Sequence, residues 1–203
     1  MTFKKTFLLS IFSILFLSLL AACGEDEESG KYTPDPQLDA EVENFEYTNQ
    51  DGETVSLDDL KGDYWVATFI FTNCETVCPP MTANMSKIQQ DAKEEELDVR
   101  FVSFSVDPAN DDPEALTEFG ENFNADFSNW DFLTGYSQKE IESFAANSFK
   151  TLVAKVDGYD QVNHGTSFFL VSPEGEVLNM FSGTNQEEYG QIVDYLSHYT
   201  SEQ

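Results

Sequence analysis

Residues 64–81 read YWVATFIFTNCETVCPPM. Tyr64–Phe71 is an almost continuous run of apolar and β-favouring residues, which is typical of a central strand buried on both faces. Two cysteines follow, Cys74 and Cys78, and from Pro79 to Glu96 apolar residues recur with helical spacing. The stretch therefore predicts a buried strand, a short loop that carries Cys74, and a helix that begins near Cys78.

The segments on either side of this stretch alternate between strand-like and helix-like patterns. Phe45–Thr48 and Glu53–Leu57 flank the turn signal Asn49–Gly52 and predict a small N-terminal β-hairpin. Further strands are predicted at Val99–Val106, Ser167–Val171 and Glu176–Phe181, and further helices at Pro113–Phe123, Ser137–Asn147 and Asn185–Tyr199. Together these elements predict an α/β fold with a mixed central sheet flanked by helices. The strand, the cysteine pair and the helix stand in the order found in thioredoxin-like proteins.

The first 22 residues have the pattern of an export signal. Two lysines precede an apolar run, Phe7–Leu20, which is shorter than the roughly 20 residues that a transmembrane helix needs. Leu20-Ala21-Ala22-Cys23 resembles the lipobox of bacterial lipoproteins, in which the cysteine is lipidated and becomes the new N-terminus. We therefore predict a lipoprotein signal peptide at residues 1–22 and a lipid on Cys23. The alternative is an uncleaved signal anchor with an incidental cysteine.

The segment that begins at Cys23 differs in composition from the rest of the chain. Residues 23–37 are rich in acidic residues and interrupted by Gly and Pro, so they are predicted to form a flexible spacer. The remaining residues, 38–203, are enough for one domain with a full core, which we predict to be the thioredoxin-like domain. A lipid on Cys23 would hold this domain at the outer face of the bacterial cytoplasmic membrane.

The chain is strongly acidic. Its 203 residues include 38 Asp and Glu but only 10 Lys and Arg, which gives a formal net charge of -28. Such a surface repels nucleic acid and anionic lipid headgroups, so we exclude both as partners and expect membrane contact through the lipid anchor only. The acidity attracts cations without showing that the chain binds a metal. Adaptation to a salty or alkaline exterior is a better explanation of the acidity than metal binding.

Cys74 and Cys78 are the cysteine pair that remains once Cys23 is assigned to the lipid. Thiols at a helix N-terminus face unpaired N–H groups and the positive end of the helix dipole, which favours the thiolate. Three residues separate the two cysteines, one more than in thioredoxin-type dithiols. In the oxidising compartment of an exported chain, the sulfurs can therefore form a redox-active disulfide or point at a common ion. A purely structural disulfide is disfavoured because so short a loop gains little from cross-linking.

His164 and His198 are the two histidines of the chain. His164 precedes the predicted strand Ser167–Val171, and in thioredoxin-like folds the loop before this strand packs against the cysteine motif. Two thiolates and one imidazole suit a soft ion such as Cu(I) and can rearrange towards the geometry of Cu(II). We therefore predict a metal site formed by Cys74, Cys78 and His164. His198, in the last helix, is interpreted as an ordinary surface or helix-end histidine.

Two further features lie close to this predicted site in the sequence-derived fold. Asp107 ends the strand that we place next to the central one, so its carboxylate either orients the ligands or belongs to a turn that merely ends the strand. Met81 and Met85 carry soft sulfur atoms, but with Ile88 they follow one helical face. That spacing favours core packing over copper binding.

Three motifs, in this order along the chain, resemble the Sco/SenC family of copper-binding cytochrome c oxidase assembly proteins. They are TNCETVCPPM at 72–81, SVDP at 105–108 and HGTSFFL at 164–170. The resemblance extends from about Leu38 to Tyr199, so it covers nearly the whole predicted domain.

The resemblance implies a thioredoxin-like fold and copper, as Cu(I) or Cu(II). The ligands of the family are the two cysteines of the first motif and the histidine of the third, which in this chain are Cys74, Cys78 and His164. Family members often have Pro directly after the first cysteine, whereas this chain has Glu75. That departure changes no ligand, but it affects the stiffness of the loop and adds a negative charge beside the sulfurs.

Two functions follow. The first is a metallochaperone, more an assembly factor than an enzyme, which metallates the copper centre of the oxidase and has the oxidase copper-site subunit and a copper donor as partners. The second is a thiol–disulfide oxidoreductase or redox sensor that acts on the copper-site cysteines of the oxidase, with a thiol reductant as partner. In that case Cys74 and Cys78 would cycle between dithiol and disulfide. The sequence favours the first function and leaves the second open.

Overall fold

The computed structural model describes residues 38–156, 158 and 161–201. Its strands, in chain order, are β1 Glu46–Thr48, β2 Thr54–Ser56, β3 Tyr64–Ile70, β4 Val99–Ser105, β5 Trp130–Leu133, β6 Val153–Lys155, β7 Val162–His164, β8 Ser167–Val171 and β9 Val177–Ser182. Its α-helices are α1 Cys78–Glu94, α2 Pro113–Asn122, α3 Gln138–Phe149, α4 Gln186–Tyr189 and α5 Gln191–Ser201.

Five of these strands form the central sheet, in the order β5-β4-β3-β8-β9. The strands β3, β4 and β5 run parallel, while β8 runs antiparallel to β3 and β9 antiparallel to β8. Because β3 and β4 are parallel neighbours, their C-terminal ends lie at the same end of the sheet. The cysteine loop leaves β3 there. The α/β fold with a mixed central sheet, predicted from the sequence, is confirmed.

Side chains of β3 and β4 form the centre of the core. From Trp65 to Ile70 the exposed fraction of every β3 residue is 2 % or less. Phe149, at the end of α3, packs on this sheet, with its ring centroid 5.5 Å from that of Phe69 and 5.0 Å from that of Phe169 on β8. Burial of each such side chain stabilises the fold by about 1.5–3 kcal/mol, so the sheet that carries the cysteine loop is firmly held.

Local signals explain where several helices begin. The Asp112 carboxylate accepts a hydrogen bond from the Ala115 amide at the start of α2, and Ser137 forms a capping box at the start of α3.

The predicted closing helix, Asn185–Tyr199, proves to be two helices, α4 and α5, that are interrupted at Gly190. Glycine is the weakest helix former apart from proline, which accounts for a break at this position.

Two small hairpins lie outside the central sheet. β1 and β2 pair antiparallel, which confirms the predicted N-terminal hairpin, and its turn is closed by the Asn49 side chain, which accepts hydrogen bonds from the amides of Asp51 and Glu53. A 3-10 helix, Leu57–Leu60, follows β2. The second hairpin, β6 and β7, was not predicted, although the Asp157-Gly158 pair in the sequence between the two strands is a common hairpin-turn signal.

The described residues begin after the segments assigned to export. The predicted signal peptide (1–22), the lipid on Cys23 and the spacer (23–37) all lie outside them. Among the residues that are described, none of the helices has the length and apolar character needed to cross a membrane.

Candidate metal centre

The two cysteines lie where a central strand passes into a helix. β3 ends at Ile70, a turn closed by a hydrogen bond from the Cys74 amide to the Phe71 carbonyl follows, and α1 opens at Cys78. Proline directly after Cys78 suits the first turn of a helix, where backbone N–H groups have no partner within the helix. The predicted order of strand, loop and helix is therefore confirmed, and it brings both thiols to one edge of the sheet.

Cys74, Cys78 and His164 come together in three dimensions. The Cys78 Sγ lies 3.4 Å from the His164 Nε2, and the Cys78 amide donates a hydrogen bond to the Cys74 Sγ at 3.3 Å. One ligand atom from each residue, two sulfurs and one nitrogen, lies within 4.8 Å of the others. Both cysteines are free thiols. The structure thus groups the three residues that the sequence singled out.

His164 is the last residue of β7, not part of a loop as its sequence position suggested. Its backbone pairs with Val153 of β6, and its Nδ1 lies 2.8 Å from the Gly165 carbonyl oxygen. A carbonyl can only accept, so Nδ1 carries the proton and the lone pair of Nε2 faces the thiols. The ring also packs edge-on against Phe71, with the centroids 5.7 Å apart. The imidazole is therefore presented in the form that binds metals.

Burial affects the two thiols differently. Burial alone raises the pKa of Cys74, but hydrogen bonds from the Cys78 thiol and from the backbone amides of residues 76–78 outweigh it and lower the pKa. Burial, the hydrogen bond to Cys74 and the nearby charge of Asp111 raise the pKa of Cys78. Cys74 is thus the thiol that ionises first, and Cys78 keeps its proton without a metal.

His164 also favours its neutral form. Burial lowers the pKa of the imidazole, and the hydrogen bond to the Gly165 carbonyl offsets part of that effect. A neutral imidazole and two thiols that lose protons on binding form a soft donor set, which suits Cu(I) better than hard cations such as Mg²⁺ or Ca²⁺. The residues present therefore fit a copper ion.

Asp107 does not contact the three candidate ligands directly. Its carboxylate is fully buried and accepts hydrogen bonds from the Lys155 ammonium at 2.5 Å and the Asn110 side chain at 2.8 Å. The carboxylate that reaches the cysteine loop is that of Asp111, which accepts hydrogen bonds from Thr72 and Ser105. Sequence reasoning missed Asp111; its position four residues after Asp107, in a turn at the same edge of the sheet, was the available signal.

The remaining candidates lie as predicted. Met81 and Met85 are fully buried on α1 together with Ile88, which confirms the prediction of core packing. His198 lies in α5, where its ring centroid is 5.9 Å from that of Tyr199. Glu75, the departure from the family pattern, is exposed.

The fold and the site define a class: a thioredoxin-like domain with two cysteines and a histidine gathered at the end of a central strand. The SCO1/SenC family model matches residues 33–200. The chain belongs to the SCO1/SenC family.

Individual relatives agree with this assignment. The SCO1 protein homolog of Bacillus subtilis (strain 168) is 53% identical over 180 residues, which is 89% of this chain and 90% of the relative. A solved structure described as identifying a disulfide switch in BsSco, a member of the Sco family of cytochrome c oxidase assembly proteins, is 52% identical with a TM-score of 0.75 and covers 83% of this chain and 98% of its own. Arabidopsis thaliana ScoI, solved with copper bound, is 25% identical with a TM-score of 0.67 and covers 81% of this chain and all of its own (100%).

Proposed function

We propose that this chain binds copper through Cys74, Cys78 and His164 and assists the metallation of cytochrome c oxidase. The observation that carries the proposal is the gathering of two sulfurs and one imidazole nitrogen within 4.8 Å of one another. Family membership supports it, since a relative has been solved with copper bound and another is described as an oxidase assembly protein. Copper is the cargo in this function, so the partners are a copper donor and the copper-site subunit of the oxidase.

The environment of the site suits the capture of cargo. Cys74 has an exposed fraction of 5 % and Cys78 of 0 %, so an ion held between them is largely shielded from water. With both cysteines reduced, their sulfurs and the lone pair of His164 Nε2 lie together, so the reduced site presents all three donor atoms to an ion. Binding of copper releases protons from the thiols and is therefore weaker in acid.

The test replaces His164 with Ala and uses His198→Ala, the other histidine of the chain, as the matched control. Copper is titrated into the reduced chain, and the thiolate-to-copper absorption is recorded with the affinity. We expect His164→Ala to lose at least about 10-fold in affinity and to change the absorption, because a ligand is lost. We expect His198→Ala to match the wild type. Unchanged affinity and absorption in His164→Ala would contradict the proposal.

A second function, thiol–disulfide exchange, is favoured by the asymmetry of the two thiols. Cys74, with its lowered pKa, would attack a disulfide of a partner, and Cys78 would then attack the mixed disulfide. The balance is a partner disulfide plus two thiols giving two partner thiols plus a Cys74–Cys78 disulfide. This role does not need His164 as a ligand. Full oxidase assembly by His164→Ala, with loss in Cys74→Ser, would therefore favour exchange over copper delivery.

The location that we propose is the outer face of the bacterial cytoplasmic membrane. It rests on the lipobox-like Leu20-Ala21-Ala22-Cys23, with residues 23–37 as the spacer between lipid and domain. A Cys23→Ser variant should leave the membrane fraction and lack the mass of a lipid. Retention of that variant in the membrane would point to an uncleaved signal anchor.

A further inference from the structure

We propose that residues 107–111, the clamp segment, fix the separation between the cysteine loop and the strand that carries His164. Asp111 holds the cysteine loop and Asp107 holds the hairpin of β6 and β7. Their carboxylates bond to groups other than the three candidate ligands, so both are positioning residues. The inference rests on the proposed copper site and states what keeps that site in shape.

Asp111 connects the clamp segment to the cysteines. Its exposed fraction is 1 %, and it accepts hydrogen bonds from the Thr72 hydroxyl at 2.6 Å and the Thr72 amide at 3.2 Å. Its other oxygen accepts a hydrogen bond from the Ser105 hydroxyl at 2.5 Å, at the end of β4. Thr72 precedes Cys74 by two residues, so this carboxylate ties the start of the cysteine loop to the neighbouring strand. A buried donor that loses its acceptor is costly, which keeps the loop in place.

Asp107 connects the same segment to His164. Its carboxylate is fully buried and pairs with the Lys155 ammonium, whose side chain has an exposed fraction of 32 %. Lys155 lies on β6 opposite Val162, and Val162 precedes His164 by two residues on β7. β6 and β7 form a two-stranded sheet of their own, and such a hairpin is marginally stable without support. The ion pair adds support from the clamp segment to that of the Glu142 carboxylate on α3, which accepts a hydrogen bond from the Lys155 amide at 3.0 Å.

The clamp segment is itself a single hydrogen-bonded turn. The amides of Asn110 and Asp111 both donate to the Asp107 carbonyl, at 2.9 Å and 3.0 Å. The Asp111 carbonyl accepts a hydrogen bond from the Thr134 hydroxyl at 2.7 Å, which attaches the turn to the segment after β5. One hydrogen-bonded turn therefore contacts both the cysteine loop and the hairpin that carries His164, in addition to the direct contact of the His164 ring with Phe71. Ligand geometry at a metal site has to be held within about 0.5 Å, and supporting partners change metal affinity by about 10–100-fold.

The test breaks the Asp107 link and leaves all three ligands in place. Lys155→Met removes the ammonium, and Asp107→Asn with Lys155→Met also removes the buried charge that the single variant leaves unpaired. Arg100→Met is the matched control, because it breaks a part-buried pair with Asp131 (2.7 Å, exposed fractions 28 % and 9 %) at the opposite end of β4. Copper is titrated into each reduced full-length chain, and absorption and thermal unfolding are recorded for each.

We expect both variants at Lys155 to bind copper about 10–100-fold more weakly and to shift the thiolate-to-copper absorption towards that of His164→Ala. Lys155→Arg should restore the wild-type absorption, and Arg100→Met should keep it even if its unfolding temperature falls. Asp111→Asn should alter the absorption in a different way, because it acts on the sulfur side.

If the folded double variant keeps the wild-type absorption and copper affinity, the proposed role of the clamp segment is wrong, and the proposed copper site is unaffected. If the wild-type chain and His164→Ala bind copper alike, the proposed function fails first, and the clamp fails with it. Equal absorption changes in Lys155→Met and Arg100→Met would also overturn the clamp, because they would reflect a general loss of stability.

Discussion

At the scale of single residues, His164 has a different partner at each ring nitrogen. The Gly165 carbonyl holds the proton on Nδ1, and Nε2 is left to face the Cys78 sulfur. This backbone contact fixes the tautomer without using a charged side chain, so the imidazole stays neutral and available to a metal.

The two thiols should differ in reactivity in the reduced, metal-free chain. Cys74 has a lowered pKa and an exposed fraction of 5 %, whereas Cys78 has a raised pKa and an exposed fraction of 0 %. We expect iodoacetamide near neutral pH to modify Cys74 well before Cys78, because the thiolate is the reactive form. Mass spectrometry of peptides from a Cys23→Ser variant measures the order. Equal rates, or earlier modification of Cys78, would contradict this assignment.

Tyr47 should make the fold sensitive to alkali. Burial, with smaller effects of Glu140 and Glu43, raises its pKa from 10.0 to about 12. The folded chain thus binds the proton more tightly than the unfolded chain, so this stabilisation is complete below pH 10 and is lost as pH rises from about 10 to about 12.

The loss amounts to roughly 3 kcal/mol at most. Urea unfolding at several pH values measures it, and Tyr47→Phe should show a shallower decline above pH 10 than the wild type. Equal slopes in the two chains would show that Tyr47 does not contribute.

At the scale of elements, the end of β9 is packed against the segment that precedes β8. The Gly183 amide donates to the Thr166 carbonyl at 2.7 Å, and the Gly183 carbonyl accepts a hydrogen bond from Asn84 of α1 at 2.7 Å. A Cβ at Gly183 would lie 2.9 Å from the Thr166 carbonyl oxygen and 2.9 Å from the Phe168 ring. This contact joins α1, β9 and the chain just after His164.

Gly183→Ala should therefore destabilise the fold by about 1–3 kcal/mol, because a backbone oxygen and a buried ring both have to shift. Urea unfolding measures the change, with Ser182→Ala as the neighbouring control. A stability equal to that of the wild type would mean that the segment before β8 shifts to accommodate the added methyl group without loss of stability. Copper affinity should fall along with stability, since that segment adjoins β7.

Long elements could be predicted from the sequence, and so could the short hairpin of β1 and β2, which has a clear turn signal at Asn49–Gly52; the other short strands could not. β3 and α1 show uninterrupted patterns over many residues, so both were predicted with nearly correct bounds. β5 has only four residues and takes its structure from pairing with β4, which local patterns do not reveal. β6 and β7 have three residues each and pair with one another, and strands this short show no clear alternation. Gly190 was the available signal for the break between α4 and α5.

The candidate site, like the fold, was predicted only in part. The cysteines follow from the strand–loop–helix pattern, and His164 follows from its position before β8, but its place on β7 depends on pairing with β6. The roles of Asp111 and Lys155 come from contacts across 39 and 48 residues of sequence, which no motif spacing shows.

At the scale of the whole molecule, the formal charge of -28 destabilises the folded state through repulsion between like charges. Raising the ionic strength from about 0.01 M to about 0.15 M shortens the Debye length from about 30 Å to about 8 Å and screens self-repulsion. Exposed pairs such as Lys61–Asp58 and Lys87–Asp91 weaken in salt, but each contributes only about 0–1 kcal/mol. Repulsion should therefore dominate the response to salt.

We expect the unfolding temperature to rise by about 2–4 °C or more over this range, which corresponds to about 1 kcal/mol for a chain of this size. Scanning calorimetry in NaCl and in KCl measures it, and equal shifts in both salts identify screening. A fall in the unfolding temperature would mean that ion pairs outweigh repulsion.

In the proposed function, one copper ion binds between Cys74, Cys78 and His164. X-ray absorption spectroscopy of the reduced chain loaded with one equivalent of copper tests it most directly, because sulfur and nitrogen neighbours are counted at the metal itself. We predict two sulfur ligands and one imidazole nitrogen, with the imidazole signal lost in His164→Ala and retained in His198→Ala. A copper ion with fewer than two sulfur ligands, or an imidazole signal that survives in His164→Ala, would contradict the claim.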